Sequence, residues 1–506
     1  MAERVSISLS SCAPDLIPQD APADVWNQAQ NVVFRNGETV ASSNDKPEFA
    51  FASINPLVVI YTEPNEQNYW VYANKTGIYT TDGTTESDIT PTGWADGQEG
   101  NAVFTACVIN GFVVINSSSK DPVYWNGLLG QICLPLPDWP TGGRCLSMRN
   151  HKNFLMAVGF ISEGGQRLRW SDAAPAGELP SEWEPKPSNL AGFVDLAPLS
   201  DPIIDGLTMR DSFIAYKNDS TWSLDLVGGN EVFSVRQMFA EYGCASTNAV
   251  GRGPNDEHIL VTSAGDIAIT DGISFSSILS GRAQRSFYQD FDGAAGSLYG
   301  VTTLMREKLG IVAYPSAGSA YADQMLYYDF DSGAISFRDA DNVTCLATGR
   351  FLNDLGNTNE WDGQVDSWNT IARTWNGDIR STTVEDVLLG LEDGFALLGG
   401  SESTRRVYLE KVGMAFGNPQ SRKLVSRIWP KIKGAPGDRV QFRLGGQEVA
   451  EGPTTLTPAI DFVIGSNQPI DTFISGRYIT MLVESDGIHQ WRLGSFDLEY
   501  REQGQW

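Results

Sequence analysis

LTMRDSFIAYKNDSTWSLDLVGG (residues 207–229) and HILVTSAGDIAITDG (residues 258–272) decide the fold. Each holds an apolar run, a polar turn, a second short run and a closing glycine turn. Phe213-Ile214-Ala215-Tyr216 breaks at Lys217-Asn218-Asp219-Ser220 and resumes as Thr221-Trp222-Ser223-Leu224. Ile259-Leu260-Val261-Thr262 breaks at Ser263-Ala264-Gly265-Asp266 and resumes as Ile267-Ala268-Ile269-Thr270, closed by Asp271-Gly272. Short runs rich in β-branched and aromatic residues, bounded by Asn, Asp, Gly and Ser, predict strands joined as hairpins.

The same unit recurs on both sides. Tyr69-Trp70-Val71-Tyr72 turns at Asn74-Lys75-Thr76-Gly77 into Ile78-Tyr79-Thr80, and residues 104–109 turn at Asn110-Gly111 into residues 112–115. Residues 145–170 and 301–337 carry further copies. A spacing of about 40–55 residues, with three or four strands per copy, predicts a radial β-propeller rather than a sandwich. Five or six copies are readable, and residues 387–391 and 394–398 could complete another blade, so the pattern leaves the blade number open. Between residues 346 and 383 lies a polar stretch with Trp361, Trp368 and Trp375. The interspersed Gly363, Asn369, Asn376 and Gly377 argue there for a loop or short strands, not a helical stripe.

The ends of the chain differ from this middle. Residues 1–50 are irregular except for a hairpin with Arg35-Asn36-Gly37 at its turn, an Asn-Gly pair suited to left-handed backbone. From residue 407 the strands lengthen and alternate, as in residues 491–500, where apolar side chains fall mainly on one parity. The predicted organisation is therefore all-β. An N-terminal arm (1–50), pairing with the C-terminal part, precedes a β-propeller (51–400) and an antiparallel β-sandwich-like platform (401–506).

The chain has 506 residues and is 41% hydrophobic, enough for a large core. Its formal charge of −26 argues against a nucleic-acid binder, whose affinity rests on Lys and Arg neutralising phosphate. No run reaches the roughly 18 apolar residues of a membrane helix, and MAERVSISLSSCAPDL lacks the apolar core of a secretory leader. Six dispersed cysteines without a Cys-x-x-Cys pair predict buried thiols rather than a disulfide framework.

Nothing in the chain reads as catalytic. His151, His258 and His489 are not spaced as metal ligands, and no phosphate loop, nucleophile elbow or dinucleotide fingerprint occurs. Asp329-Phe330-Asp331-Ser332-Gly333 resembles half a calcium loop but lacks the downstream bidentate glutamate. Asp219-Ser220-Thr221-Trp222 approaches a sialidase Asp box without its glycine and does not recur. A non-enzyme without cofactor or metal is expected. A glycan-binding or glycan-hydrolysing propeller is the alternative, because paired carboxylates cannot be located by sequence alone.

A set of motifs in fixed order points further. Arg169-Trp170-Ser171-Asp172 with Glu182-Trp183 resembles a segment of tail proteins from short-tailed bacteriophages. Asp201-Pro202-Ile203, Ala215-Tyr216-Lys217, Gly243-Cys244, and Arg282-Ala283-Gln284-Arg285-Ser286-Phe287 follow in the same order. The C-terminal series Ile474-Ser475-Gly476-Arg477-Tyr478-Ile479, Glu484-Ser485-Asp486 and Trp491-Arg492-Leu493 resembles the ending of their tail hub, or nozzle, proteins. The resemblance spans residues 160–500. It implies a virion protein made in the host cytoplasm, six copies of which form a ring below portal and adaptor. Genome DNA would leave through that ring, and fibres or spikes would attach outside. Such a lumen, lined by carboxylates, would repel passing phosphate. Arginines concentrate in the platform, and Arg427, Arg439, Arg477 and Arg492 are expected to form ion pairs between subunits.

Overall fold

The computed structural model describes residues 3–18, 21–49, 55–64, 67–196, 201–228, 231–291, 299–352, 383–449, 452–466 and 468–505. The three tryptophans of the 346–383 stretch lie outside them. The described strands form seven four-stranded antiparallel blades, five of them separate sheets and two sharing a strand within a larger sheet, together with a β-sandwich.

Blade one pairs Val58–Thr62, Tyr69–Ala73, Ile78–Thr81 and Glu86–Asp88 from inside to outside. Blade two runs from Phe104–Ile109 to Leu134–Pro135, and blade three from Cys145–His151 to Gly192–Asp195. The stretch that set the expectation forms blades four (Ile203–Met209 to Phe233–Phe239) and five (Val250–Arg252 to Phe275–Ser277). Blade six begins at Gly300–Leu304 and ends on the first half of the long strand Ile335–Leu352. Past Val343 that same strand becomes the innermost strand of blade seven, paired with Thr383–Leu391 and then Gly394–Leu397. Lys46–Glu48 supplies the outermost strand of blade seven, so a segment from before blade one closes the ring. Each innermost strand packs on the next, and the seventh packs back on Val58–Thr62. The structure is thus a seven-bladed propeller, and it answers the blade number that the repeats left open.

Stacking of blade on blade explains the core. Hairpin strands such as Phe154–Phe160 are buried on both faces because each blade is sandwiched between two others. At the closing seam Trp70 of blade one lies so near blade seven that a Cβ on Gly349 would come within 2.4 Å of its ring. Only glycine admits that approach.

The sandwich places Ile470–Gly476, Ser421–Lys433, Arg492–Gln505, Glu38–Ala41 and Val32–Arg35 in one sheet, with Glu3–Ile7 also paired to Arg492–Gln505. In its turn Asn36 (φ 51°) and Gly37 (φ 76°) are left-handed, as the Asn-Gly signal predicts. The opposing layer runs from Gln28–Gln30 through Val407–Met414, Tyr478–Ser485 and Arg439–Gln447. Trp26, Phe34, Ile428, Phe442, Val483 and Phe496 fill the space between the layers. The second layer is continuous with blade six, because Gln30 bridges in parallel to Phe337. The strands between Glu3 and Glu48 are thus shared between the sandwich and blade seven. Asp45 clamps the junction: its carboxylate accepts from Arg338 (2.5 Å), Arg405 (2.8 Å) and the Gly399 amide (2.8 Å). Arg338 is fully buried there.

Candidate functional site: the propeller axis and the platform face

The innermost strands bring one ion pair onto the axis. Asp205, on Ile203–Met209 of blade four, is fully buried. Arg149, on Cys145–His151 of blade three, grips it with two bonds, Nε to Oδ1 at 2.8 Å and Nη2 to Oδ2 at 2.6 Å. Ser147 Oγ (2.8 Å) and the Asn248 amide (2.9 Å) donate to the same carboxylate. Burial pushes the Asp205 carboxyl up, but the Arg149 guanidinium and these donors more than reverse it and hold it below the usual range. Asn248 accepts from Arg149 at 2.9 Å and donates to the Phe104 carbonyl of blade two at 3.0 Å. Blades two, three, four and five are therefore stitched together across the axis.

Towards the C-terminal ends of the innermost strands the axis opens into a basin of about 740 Å³ bordered by Tyr61, Arg252, Thr302, Thr348, Arg350 and Glu385. That is the size of a small-molecule pocket. At its rim Glu63 accepts from Tyr61 (2.7 Å) and Arg350 (3.0 Å), and Thr302 and Thr348 share a hydrogen bond of 2.7 Å. These carboxylate contacts already join side chains of blades one and seven.

The three histidines separate. His258 is buried, which holds it down to about 4 and hence neutral. Its Nε2–H donates to the Thr208 carbonyl (3.2 Å), leaving Nδ1 to accept the Tyr216 hydroxyl (2.8 Å). His151, also lowered by burial to about 4, lies 3.0 Å from Thr208 Oγ1. His489 is exposed beside Asp438 at 3.1 Å. Among the described residues no group of His, Cys, Asp or Glu is arranged to hold a metal ion. All six cysteines are free, five of them buried and Cys345 half-buried. In the calcium-like segment Asp329 accepts the Asp331 amide at 3.2 Å and Lys308 pairs with Asp331 at 2.7 Å, the bonding of a turn. Trp222 is buried and donates to Ser220 at 3.0 Å, while Asp219 accepts from Ser263 at 3.2 Å.

The four platform arginines are not gathered into one site. Each pairs with a carboxylate of its own chain: Arg427 with Asp471 (2.8 Å), Arg439 with Asp461 (3.2 Å), Arg477 with Glu448 (3.9 Å) and Arg492 with Glu38 (3.4 Å). All keep a third or more of their side-chain surface in solvent. The motif residues around them are architectural. A Cβ on Gly446 would lie 2.3 Å from the Ser475 carbonyl, where the two sandwich layers meet at a corner. Trp491 is buried with its indole N–H on Ser485 at 2.9 Å. Arg169, buried, donates to Glu184 (2.6 Å) and the Trp183 carbonyl (3.2 Å).

Sequence reading missed the axial Arg149–Asp205–Asn248 cluster. The available signal was a charge inside each of two strand patterns, Ser147-Met148-Arg149 and Ile203-Ile204-Asp205, where burial demands a partner.

No family model matches the chain, and no curated protein matches it. Among solved structures it is similar to YCF48 from Cyanidioschyzon merolae, at 12% identity over 71% of this chain and 98% of that one, with a TM-score of 0.38. It is similar to the Neurospora crassa Pan2 WD40 domain at 10% identity over 72% and 98%, with a TM-score of 0.38. An exo-beta-1,3-galactanase from Phanerochaete chrysosporium is similar at 8% identity over 91% and 100%, with a TM-score of 0.28. Likenesses this distant carry no argument about activity. The propeller stands on its own strand pairings.

Proposed function

We propose that this seven-bladed propeller with its sandwich is the structural subunit of a ring in the tail of a short-tailed bacteriophage, a nozzle through which DNA leaves. The observation that carries the reading is the ordered series of tail-protein motifs between residues 160 and 500. Two physical features support it. The formal charge of −26, repeated around a ring, disfavours lasting contact with phosphate. The propeller axis is crossed by the Arg149–Asp205–Asn248 bonds, so a duplex could pass only between copies, through a lumen that a ring creates.

The test is the state of assembly. Light scattering and electron microscopy of the purified protein with its portal adaptor are expected to show a closed ring of about six copies. A stable monomer that never joins a ring and cleaves a glycan would reject the nozzle and establish the carbohydrate alternative.

A further inference from the structure

The outer face of the first sandwich layer carries a row of alternating charge across four neighbouring strands. Arg4 stands opposite Glu499, Glu499 opposite Arg427, and Arg427 opposite Asp471. In-register partners point to one face of a sheet, and the row reads plus, minus, plus, minus from one rim to the other. At one rim, among the described residues, Glu3–Ile7 pairs with Arg492–Gln505 alone; at the other, Ile470–Gly476 pairs with Ser421–Lys433 alone. Ile470–Gly476 also has a bare edge: Phe473 is 81% exposed, and the strand holds neither proline nor lysine, the usual guards of an open edge.

We infer that the Glu3–Ile7 rim of one copy adds, antiparallel, to the Ile470–Gly476 rim of the next, making the sandwich layer continuous around the assembly. This rests on the ring reading above. Strand sense supports it: three successive antiparallel steps separate the two rims, so they run in opposite directions. A rotation about an axis along the strands therefore brings them together as an antiparallel pair. Charge supports it too, because the negative end of the row, Asp471, meets the positive end, Arg4, and the alternation continues. Phe473, on the same outer face as Asp471, is covered beside Arg4, which already lies over the Trp429 ring at 4.3 Å. On the inner face Val5 and Ile7 join Thr472 and Ile474, extending the apolar core. The contact is heterologous, using two different edges, as a ring requires.

Cross-linking tests the pairing. Within one chain Arg4 and Asp471 are three strand spacings apart, roughly 14 Å, too far for a disulfide. The double variant Arg4→Cys with Asp471→Cys should oxidise to a ladder of covalent multimers. A mixture of the two single variants should stop at dimers, and each single variant alone should give none. Phe473→Lys should abolish the ring while leaving the melting temperature of the isolated chain unchanged. Rings that form by microscopy but stay unlinked in the double variant would overturn the edge pairing and leave the nozzle reading standing. Asp471→Cys alone linking to itself would overturn it in favour of a twofold contact. A chain that stays monomeric with its adaptor would sink both.

Discussion

Asp205 illustrates how one residue can be both costly and indispensable. Removing its charge leaves the Arg149 guanidinium buried without its partner, and breaking such a pair costs about 3–5 kcal/mol. Asp205→Ala should lower stability by that order in urea unfolding, and Arg149→Met with Asp205→Leu should recover much of the loss. A double variant no better than the single would mean that the Asn248 and Ser147 bonds, not the charge, matter. Asp386 behaves oppositely. Burial, with Glu307 and Asp45 nearby, raises its carboxyl to about 6 from the ordinary 3.8. The folded state then holds the proton more tightly than the unfolded one, so this group contributes most below pH 4, and the contribution is lost as pH rises through 6. Asp386→Asn should raise the melting temperature at pH 7.5 and leave it unchanged near pH 4; equal gains at both would remove the proton from the explanation. None of this chemistry was legible in sequence. A charge in a strand pattern announces a partner but not which strand brings it.

At the scale of elements, legibility followed the spacing of turns. Every blade whose strands are joined by Asn, Asp and Gly turns could be read, because those residues mark where the chain reverses. Blade seven could be read only in its middle strands. Its innermost strand continues from blade six through Val343 without a break, and its outermost, Lys46–Glu48, lies far back in the chain. The helix Gln284–Asp290 spans only seven residues and buries only Phe287, too little to leave a 3.6-residue period. The clamp at Asp45 belongs to this scale, since it ties Lys46–Glu48 to blade six through Arg338 and to the sandwich through Arg405. Asp45→Ala strands the buried Arg338 guanidinium, while Arg405 keeps Asp341, and should cost about 3–5 kcal/mol. Proteolysis should then cut first between residues 40 and 60. Cleavage elsewhere would show that the seam holds without the clamp.

For the whole molecule, the parallel bridge from Gln30 to Phe337 and the shared strands of residues 3–49 merge propeller and sandwich into one structure. Calorimetry should therefore show one unfolding transition; two well-separated transitions would mean that the units are energetically independent. The platform arginines were expected at subunit contacts; their pairs within the chain were not legible, because these depend on register, which composition does not reveal. The N-terminal closing strand has one more consequence, for the order of events during synthesis. Lys46–Glu48 meets its partner only when residues 394–397 have emerged, and Glu3–Ile7 waits for residues 496–500. At roughly 5–20 residues per second, the first strands spend on the order of a minute without their mates on the ribosome. Neither the propeller nor the sandwich can finish folding before translation is nearly done. A chain truncated before residue 394 therefore lacks the strands that close both units.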